Sequence, residues 1–449
     1  MSRILVKGGR VVDPVVGVDD TLDLVIDGGK IGEVSKSIEA NDVETTVEAD
    51  GLIVAPGLVD IHVHLREPGN EDAETIESGA RAAAHGGVTT VAAMPNTDPP
   101  IDSASWVEFV ATRPAAVSVH PIAAITMGRR GKQLTEMSEL RDAGAVAFSD
   151  DGCSVLDAGL MRRALDYARM VGLPVISHCE DPTLAGSGTA NESYSSTRAG
   201  LTPVPAAAEE VMVARDIILA RTTGARLHVA HISTAGSVEL VRRAKADGVP
   251  ITCETCPHYF SLTDEEVLSY DSSVRVNPPL RSAADVRAVR AGLADGTIDA
   301  VASDHAPHTH EDKEVEFDAA PPGMIGLETL LPVTLTHLVL EKVLDLNRAI
   351  TLLTAGPAGV LGLAAGTLSP GANADVCIID PTATRTIEPS WFVSKSRNSP
   401  WIGRELQGFA VTTIRRGEIV SAEYDRAGGD AGADTEDRAR RRGKLAVHA

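Results

Sequence analysis

The feature of this 449-residue sequence that most restricts its fold is a regular alternation of short apolar segments with longer helical segments through its central part. Such alternation predicts parallel strands joined by helices. Eight units of this kind predict a closed (β/α)8 barrel of the TIM type, an α/β fold whose functional groups lie at the carboxyl ends of the strands. The predicted strands are 58–64, 88–94, 117–125, 145–149, 174–178, 226–231, 250–254 and 300–304.

Both ends of the chain carry a different pattern, in which short alternating strands are separated by glycine-containing turns. Asp27-Gly28-Gly29 is typical of a hairpin, because glycine accepts the positive φ of tight turns. We therefore predict a small β-sandwich domain built from residues 1–55 and 361–425, beside a barrel over 56–360. The remaining residues, 426–449, are rich in Gly, Ala, Asp and Arg and are predicted to form a disordered tail.

Composition excludes several classes of function. A formal net charge of −22 argues against nucleic-acid binding, which usually requires a basic face. No apolar run approaches the roughly 18 residues of a membrane span, and the N-terminus lacks the pattern of a secretory signal, so a cytoplasmic location is expected. The negative charge would also repel a small anionic substrate, which therefore requires a local arginine or metal ion.

The sharpest local motif is the His62-Val63-His64 pair at the end of the first predicted strand. Side chains two residues apart on a strand point the same way, so both imidazoles can share one metal ion. Other nitrogen and oxygen donors follow later strands. Without a thiolate among them, these donors suit zinc, and they are too many for one tetrahedral ion. We therefore expect two zinc ions, with Asp151 as the bridging carboxylate and with the ligands His62, His64, Asp151, His178, His231 and Asp304.

Three segments, 57–69, 93–97 and 302–308, resemble the hallmark motifs of the dihydroorotases, which belong to the amidohydrolase superfamily. The resemblance extends from the first barrel strand to about Val420. Many relatives in the superfamily bridge their metals with a carboxylated lysine after the fourth strand, where this chain has Asp150-Asp151. That difference resembles the bacterial class I dihydroorotases and argues against dihydropyrimidinase and allantoinase.

The resemblance also implies a substrate pocket. Its members are His64, Arg66, Asn96, Asn277, His308, Pro322 and Gly323, with Arg66 and Asn96 on the substrate carboxylate and Pro322-Gly323 at the end of a mobile loop, 309–323. An arginine fork pairs bidentately with a carboxylate, which agrees with this assignment. The residues alone leave other readings open: a salt bridge of Arg66 with Glu67 or Glu71, a plain loop role for His308, and a turn before proline for Asn277. The other histidines, including His228 and His258, are interpreted as structural.

The implied reaction is the reversible cyclisation of N-carbamoyl-L-aspartate to (S)-dihydroorotate in pyrimidine biosynthesis. In it, a hydroxide bridging the two zinc ions attacks the ring amide carbonyl, and Asp304 is the general acid and base. Two alternatives remain: another cyclic amidase that acts on hydantoin, dihydrouracil or allantoin, and a non-catalytic partner of aspartate carbamoyltransferase. An active enzyme could bind that partner as well, and a homodimer is expected.

Overall fold

The N-terminal segment folds as five strands in the computed structural model, which describes residues 3–39, 42–422 and 447–448. Gly28 and Gly29 join the second and third strands in a two-residue turn, and both have positive φ (58° and 77°). Alternate residues such as Val6, Leu24 and Ile26 are buried on one face. The strands are β1 (Ile4–Asp13), β2 (Val18–Asp27), β3 (Lys30–Ser35), β4 (Thr45–Glu48) and β5 (Ile53–Pro56).

The central part of the chain forms the predicted barrel. Its eight strands lie in one parallel sheet, and the His64 N–H donates to the His305 carbonyl (2.8 Å), so the end of the first strand meets the end of the last. The hydrogen-bonded strands depart from the predicted bounds, and six of the eight end early because the residues at their carboxyl ends leave the sheet at the barrel mouth. They are β6 (Leu58–Val63), β7 (Val88–Ala93), β8 (Ser118–Ala123), β9 (Ala147–Ser149), β10 (Val175–Ser177), β13 (Leu227–Val229), β14 (Ile251–Thr255) and β15 (Ala300–Val301), while β11 (Ala190–Asn191) and β12 (Pro203–Val204) pair outside it.

Helices connect the strands, and polar caps define where several of them begin. Thr75 and Ser282 form capping boxes, and the Asp157 carboxylate accepts from the Leu160 N–H. The helices are α1 (Ile76–His85), α2 (Ala104–Thr112), α3 (Met137–Asp142), α4 (Ala158–Val171), α5 (Pro182–Ala185), α6 (Tyr194–Ala199), α7 (Ala207–Thr223), α8 (Ala235–Ala246), α9 (Pro257–Ser261), α10 (Ala283–Asp295), α11 (His310–Lys313), α12 (Leu330–Thr334), α13 (Leu346–Leu353) and α14 (Ala355–Leu361). Short 3-10 turns lie at Met127–Arg129, Asp264–Ser269, Ser272–Val274 and Pro389–Trp391, and a π-helical stretch lies at Leu335–Leu340.

The two chain ends share one β-sheet, as the sequence predicts. Three C-terminal strands, β16 (Val376–Thr386), β17 (Glu405–Arg415) and β18 (Glu418–Ala422), extend the N-terminal strands, because β16 pairs antiparallel with β5. This arrangement confirms the predicted fold class, a (β/α)8 barrel with a β domain from both ends. The domain boundaries at 55/56 and 360/361 stay predictions. Residues 423–446 and 449, which include most of the predicted tail 426–449, lie outside the described residues, and β19 (Val447–His448) pairs with β4.

The connection between β16 and β17 does not stay with the β domain. Within it, Asn398 donates to the Ala306 and Gly323 carbonyls of the barrel mouth (3.0 and 3.1 Å). Ser394 likewise hydrogen-bonds to Glu74 at the start of the first barrel helix. The C-terminal part of the chain therefore contributes to the mouth of the barrel. None of the described helices is long and apolar enough to cross a membrane.

Candidate metal centre and substrate pocket

The two histidines of the first strand face two carboxylates that arrive from later strands. The His62 Nε2 atom lies 3.5 Å from Asp151 Oδ1 and 3.6 Å from Asp304 Oδ1. The His64 Nε2 atom lies 3.1 Å from the same Asp304 oxygen and 3.6 Å from Asp151 Oδ2. His62, His64, Asp151 and Asp304 therefore converge on one point at the carboxyl ends of the strands.

His178 and His231 complete the cluster around Asp151. The His178 Nδ1 and His231 Nε2 atoms each lie 3.7 Å from Asp151 Oδ1 and 2.8 Å from one another. The structure thus brings together all six predicted ligands, all buried, with Asp151 in contact with the four imidazoles. This central position is the one a bridging ligand requires.

Three residues of the predicted site have a strained backbone conformation. His231, Asp304 and Arg66 have positive φ (34°, 49° and 59°), a conformation that non-glycine residues rarely adopt. Each such residue costs on the order of 1–3 kcal/mol, which the surrounding structure must offset, and such residues gather at functional sites. The strain turns these side chains into the barrel mouth.

The donors fit a metal ion. The His62 Nε2 and Asp151 Oδ1 atoms are buried without a hydrogen-bond partner among the described residues, and leaving such a group unpaired costs about 1–3 kcal/mol. Two triplets, His62–His64–Asp304 and His62–Asp151–His231, place their ligand atoms within 4.8 Å of one another. A cation would satisfy these atoms, so the site suits a metal.

The carboxylates of the cluster are held in their ionised form. Burial raises the pKa of Asp151, but its interactions with His62, His178 and His231 outweigh burial and bring that pKa well below its usual range. Burial likewise raises the pKa of Asp304, but the neighbouring His62 and His64 outweigh burial and bring that pKa below its usual range. Both groups are therefore anionic at neutral pH, as metal ligands must be.

A second set of buried residues, which the sequence analysis missed, orients His62. Its Nδ1 atom lies 2.6 Å from Glu254 Oε1, and the other oxygen of Glu254 lies 3.3 Å from His228 Nε2. Burial raises the pKa of Glu254, but the two imidazoles outweigh it and lower that pKa to about 2. The position of Glu254 at the end of the seventh predicted strand was the available signal. His228, interpreted as structural, contacts this carboxylate.

Arg66 lies beside the histidine–aspartate cluster and forms no salt bridge with its sequence neighbours Glu67 and Glu71. Glu67 pairs instead with Arg113 (3.1 Å), and Glu71 accepts from the Gly69 N–H. Arg66 itself donates through Nε to the Pro307 carbonyl (2.9 Å). Burial lowers the pKa of its guanidinium. In the part of the chain that the structure describes, no carboxylate lies within 4.0 Å of Arg66.

The other predicted substrate residues surround the same opening. Asn96 Oδ1 lies 2.7 Å from His64 Nδ1, and Asn277 Nδ2 lies 3.5 Å from His178 Nε2, so both amides contact predicted metal ligands. His308 contacts the Pro322 carbonyl through Nε2 (2.9 Å). Burial and the nearby Arg66 lower the pKa of His308 to about 3, which leaves the ring neutral, so Nε2 must carry its hydrogen to donate to this carbonyl.

Gly323 is required by its surroundings. Its φ is 134°, and a Cβ atom there would lie 2.7 Å from the Ala306 Cβ and 3.0 Å from His308 Nε2. A side chain at this position would therefore displace both neighbours. The chain can pass Ala306 and His308 at position 323 only without a side chain.

Comparisons with known proteins agree with this geometry. A family model described as Dihydro-orotase-like matches residues 51–237, and one described as Amidohydrolase family matches residues 221–421. A protein of Pelotomaculum thermopropionicum named Dihydroorotase is 55% identical over 420 residues, which cover 93% of this chain and 98% of that one. A Geobacter protein of the same name is 52% identical over 421 residues, covering 93% and 99%.

A similar solved structure carries a different name. An L-hydantoinase (dihydropyrimidinase) from Arthrobacter aurescens superposes with a TM-score of 0.86 at 27% identity and covers 97% of this chain and 98% of its own. This likeness supports the barrel with its β domain, whereas the much higher sequence identity lies with the proteins named Dihydroorotase. By this identity over nearly its full length, the chain belongs to the dihydroorotase family of cyclic amide hydrolases.

Proposed function

We propose that this enzyme catalyses the reversible cyclisation of N-carbamoyl-L-aspartate to (S)-dihydroorotate in pyrimidine biosynthesis. The observation that carries the proposal is the placement of Arg66, which interacts with Asp304 and Asp151 of the histidine–aspartate cluster and has no carboxylate of the described residues within salt-bridge distance. The relatives named Dihydroorotase support the same reaction.

Arg66 would bind the substrate carboxylate. The Nε2 hydrogen of His308 points at the Pro322 carbonyl, so Arg66 Nη2, at 3.4 Å, cannot donate to that nitrogen and keeps its hydrogens for a ligand. A guanidinium–carboxylate pair is bidentate and charge-assisted. In a chain of net charge −22, this local cation offsets the repulsion of an anionic substrate.

His62, His64, Asp151, His178, His231 and Asp304 would hold the metal, which we propose to be two zinc ions with Asp151 between them. Zinc bound there would supply Lewis acidity, which polarises a carbonyl oxygen and makes water more acidic. Asn96 and Asn277 would keep His64 and His178 in position through the contacts described above, in addition to any contact with the substrate.

Asp304 would carry the proton. It stays ionised in the cluster and can therefore accept a proton from the attacking water and pass it to the departing ring nitrogen. In the direction of ring closure, the same carboxylate would remove a proton from the ureido nitrogen of carbamoyl aspartate. Its position 3.1 Å from His64 Nε2 keeps it at the centre of the site.

Another cyclic amidase activity is the main alternative, because the similar solved structure is named hydantoinase. Hydantoin, dihydrouracil and allantoin carry no carboxylate for Arg66, and Asp151 occupies the region where those enzymes are expected to have a lysine. The test compares these three rings with dihydroorotate and carbamoyl aspartate on the purified enzyme, together with Arg66→Gln. We expect turnover of the two carboxylate-bearing substrates only. Faster hydrolysis of an uncharged ring, undiminished in R66Q, would refute the proposal.

A non-catalytic role beside aspartate carbamoyltransferase is disfavoured because all six predicted ligand positions converge. Binding of that partner by the active enzyme, a homodimer and a cytoplasmic location stay predictions from the sequence.

A further inference from the structure

The short segment Pro321–Gly323 is held by every polar group of its backbone. Lys313 Nζ donates to the Pro321 carbonyl (2.7 Å), His308 Nε2 to the Pro322 carbonyl (2.9 Å), and Asn398 Nδ2 to the Gly323 carbonyl (3.1 Å). The Gly323 N–H donates to the Arg275 carbonyl (2.8 Å), and the two prolines have no N–H. Three side chains, two from the preceding loop and one from a distant connection, thus hold three consecutive carbonyls.

Lys313 is unusual among lysines because its ammonium group ends inside the protein. The residue is 9% exposed, and its second hydrogen bond goes to the Ser272 carbonyl (3.0 Å). Ser272 Oγ donates in return to the Lys313 carbonyl (2.6 Å). Lysine side chains ordinarily extend to water, so the cost of burying this one must be offset by its hydrogen bonds to the carbonyl oxygens. Here the pair of bonds fastens α11 and Pro321 to the same point on the barrel.

Asn398 arrives from the connection between β16 and β17, far from the barrel in sequence. Besides Gly323, its Nδ2 group donates to the Ala306 carbonyl (3.0 Å), while its Oδ1 atom accepts from the His308 N–H (3.3 Å). Its own carbonyl accepts from the Ile325 N–H (2.9 Å). The buried Asn398 amide therefore links Ala306 and His308, which follow the last barrel strand, to Gly323.

We propose that Lys313 and Asn398 are positioning residues that hold Pro322 and Gly323 in the shape that receives the substrate ring. The inference rests on the proposed function for the identity of that ring and for the place of Pro322 and Gly323 in the pocket. Neither residue touches the metal cluster; each acts through the backbone of the segment. Pre-ordering the segment lowers the entropic cost of binding, so its loss should weaken substrate binding more than it slows the chemical step.

The test uses Lys313→Met and Asn398→Ala, with Lys36→Met as the matched control, because Lys36 is exposed on the β domain. Steady-state kinetics on carbamoyl aspartate, metal content and hydrogen exchange over 309–325 are measured for each variant. We expect KM to rise about ten-fold or more in K313M and N398A with kcat changed less than about three-fold. Exchange over 309–325 should accelerate at unchanged metal content, and K36M should behave as wild type.

Unchanged KM and unchanged exchange in both variants would overturn the proposal, as would a parallel fall of kcat and metal content, which indicates general damage. Lys313→Gln, which keeps a shorter donor, replaces K313M if that protein does not fold. If the wild type fails to cyclise carbamoyl aspartate, the proposed function fails by itself, and hydrogen exchange still decides whether these residues order the segment.

Discussion

Replacing Glu254 by glutamine tests whether a carboxylate behind His62 strengthens metal binding. The His62 Nδ1 atom lies 2.6 Å from Glu254 Oε1, and both groups are fully buried. Because Nδ1 donates to the Glu254 carboxylate, Nε2 is the nitrogen that faces the metal site. The anion makes Nε2 more basic than a neutral acceptor would. Glutamine has nearly the same size, keeps one acceptor oxygen for His62, and replaces the other, charged oxygen by a neutral NH2 group.

The expected loss follows from that difference. A hydrogen bond to a charged group contributes about 1.5–3 kcal/mol, against about 0.5–1.5 kcal/mol for a neutral one. Loss of the charge should therefore weaken metal binding by about 1–1.5 kcal/mol, or roughly five- to ten-fold. The second imidazole, His228 at 3.3 Å from Glu254 Oε2, loses its anionic neighbour too, which moves the expectation toward the upper end of the range.

Competition with a chromophoric chelator measures this loss directly. Glu239→Gln is the control, because Glu239 is an exposed carboxylate on α8 that pairs with Arg242 and Arg243. Its metal affinity should equal that of the wild type. If E254Q also competes as well as wild type, with an unchanged circular dichroism spectrum, then Glu254 does not support His62 and the reasoning is wrong.

Asp304→Asn should retain metal while kcat falls by about 10²–10⁴-fold, the usual contribution of a general acid–base, and near-normal turnover would contradict its proton-transfer role. Arg66→Lys should raise KM for carbamoyl aspartate about ten-fold or more without loss of metal, because an ammonium cannot reproduce the bidentate fork; an unchanged KM would remove Arg66 from carboxylate binding. Burial lowers the pKa of Lys313 to about 7 from 10.5. Below pH 7 the buried charge therefore destabilises the ordered form of the segment, and this destabilisation decreases as pH rises toward 10.5. Hydrogen exchange over 309–325, corrected for intrinsic rates, should therefore slow between pH 7 and 9 in the wild type and not in K313M. Equal pH profiles of the two proteins would exclude titration of this lysine. Its charged neighbours are Arg66, Asp271, Arg275 and Asp312.

The barrel and its six converging donors were predictable because both depend on local order in the sequence. A run of apolar residues identifies a strand, the period of two places His62 and His64 on one face, and parallel strands bring their carboxyl ends to the same side of the barrel. These three inferences use only the local pattern of the sequence and the general geometry of parallel barrels. The joining of the two chain ends was likewise visible, since both ends carry short strands with glycine turns.

The tertiary structure alone decided which side chains support these donors. Glu254 and His62 are 192 residues apart in sequence, and their contact depends on how the barrel closes. Asn398 and Ala306 are 92 residues apart, and their contact depends on the path of a connection that has no strand periodicity. The contact of the Asn96 oxygen with His64 was not predicted either, while its place on the substrate carboxylate stays a prediction. Strand periodicity specifies the face to which a side chain points, whereas the partner it meets there is set by the register and curvature of the whole sheet.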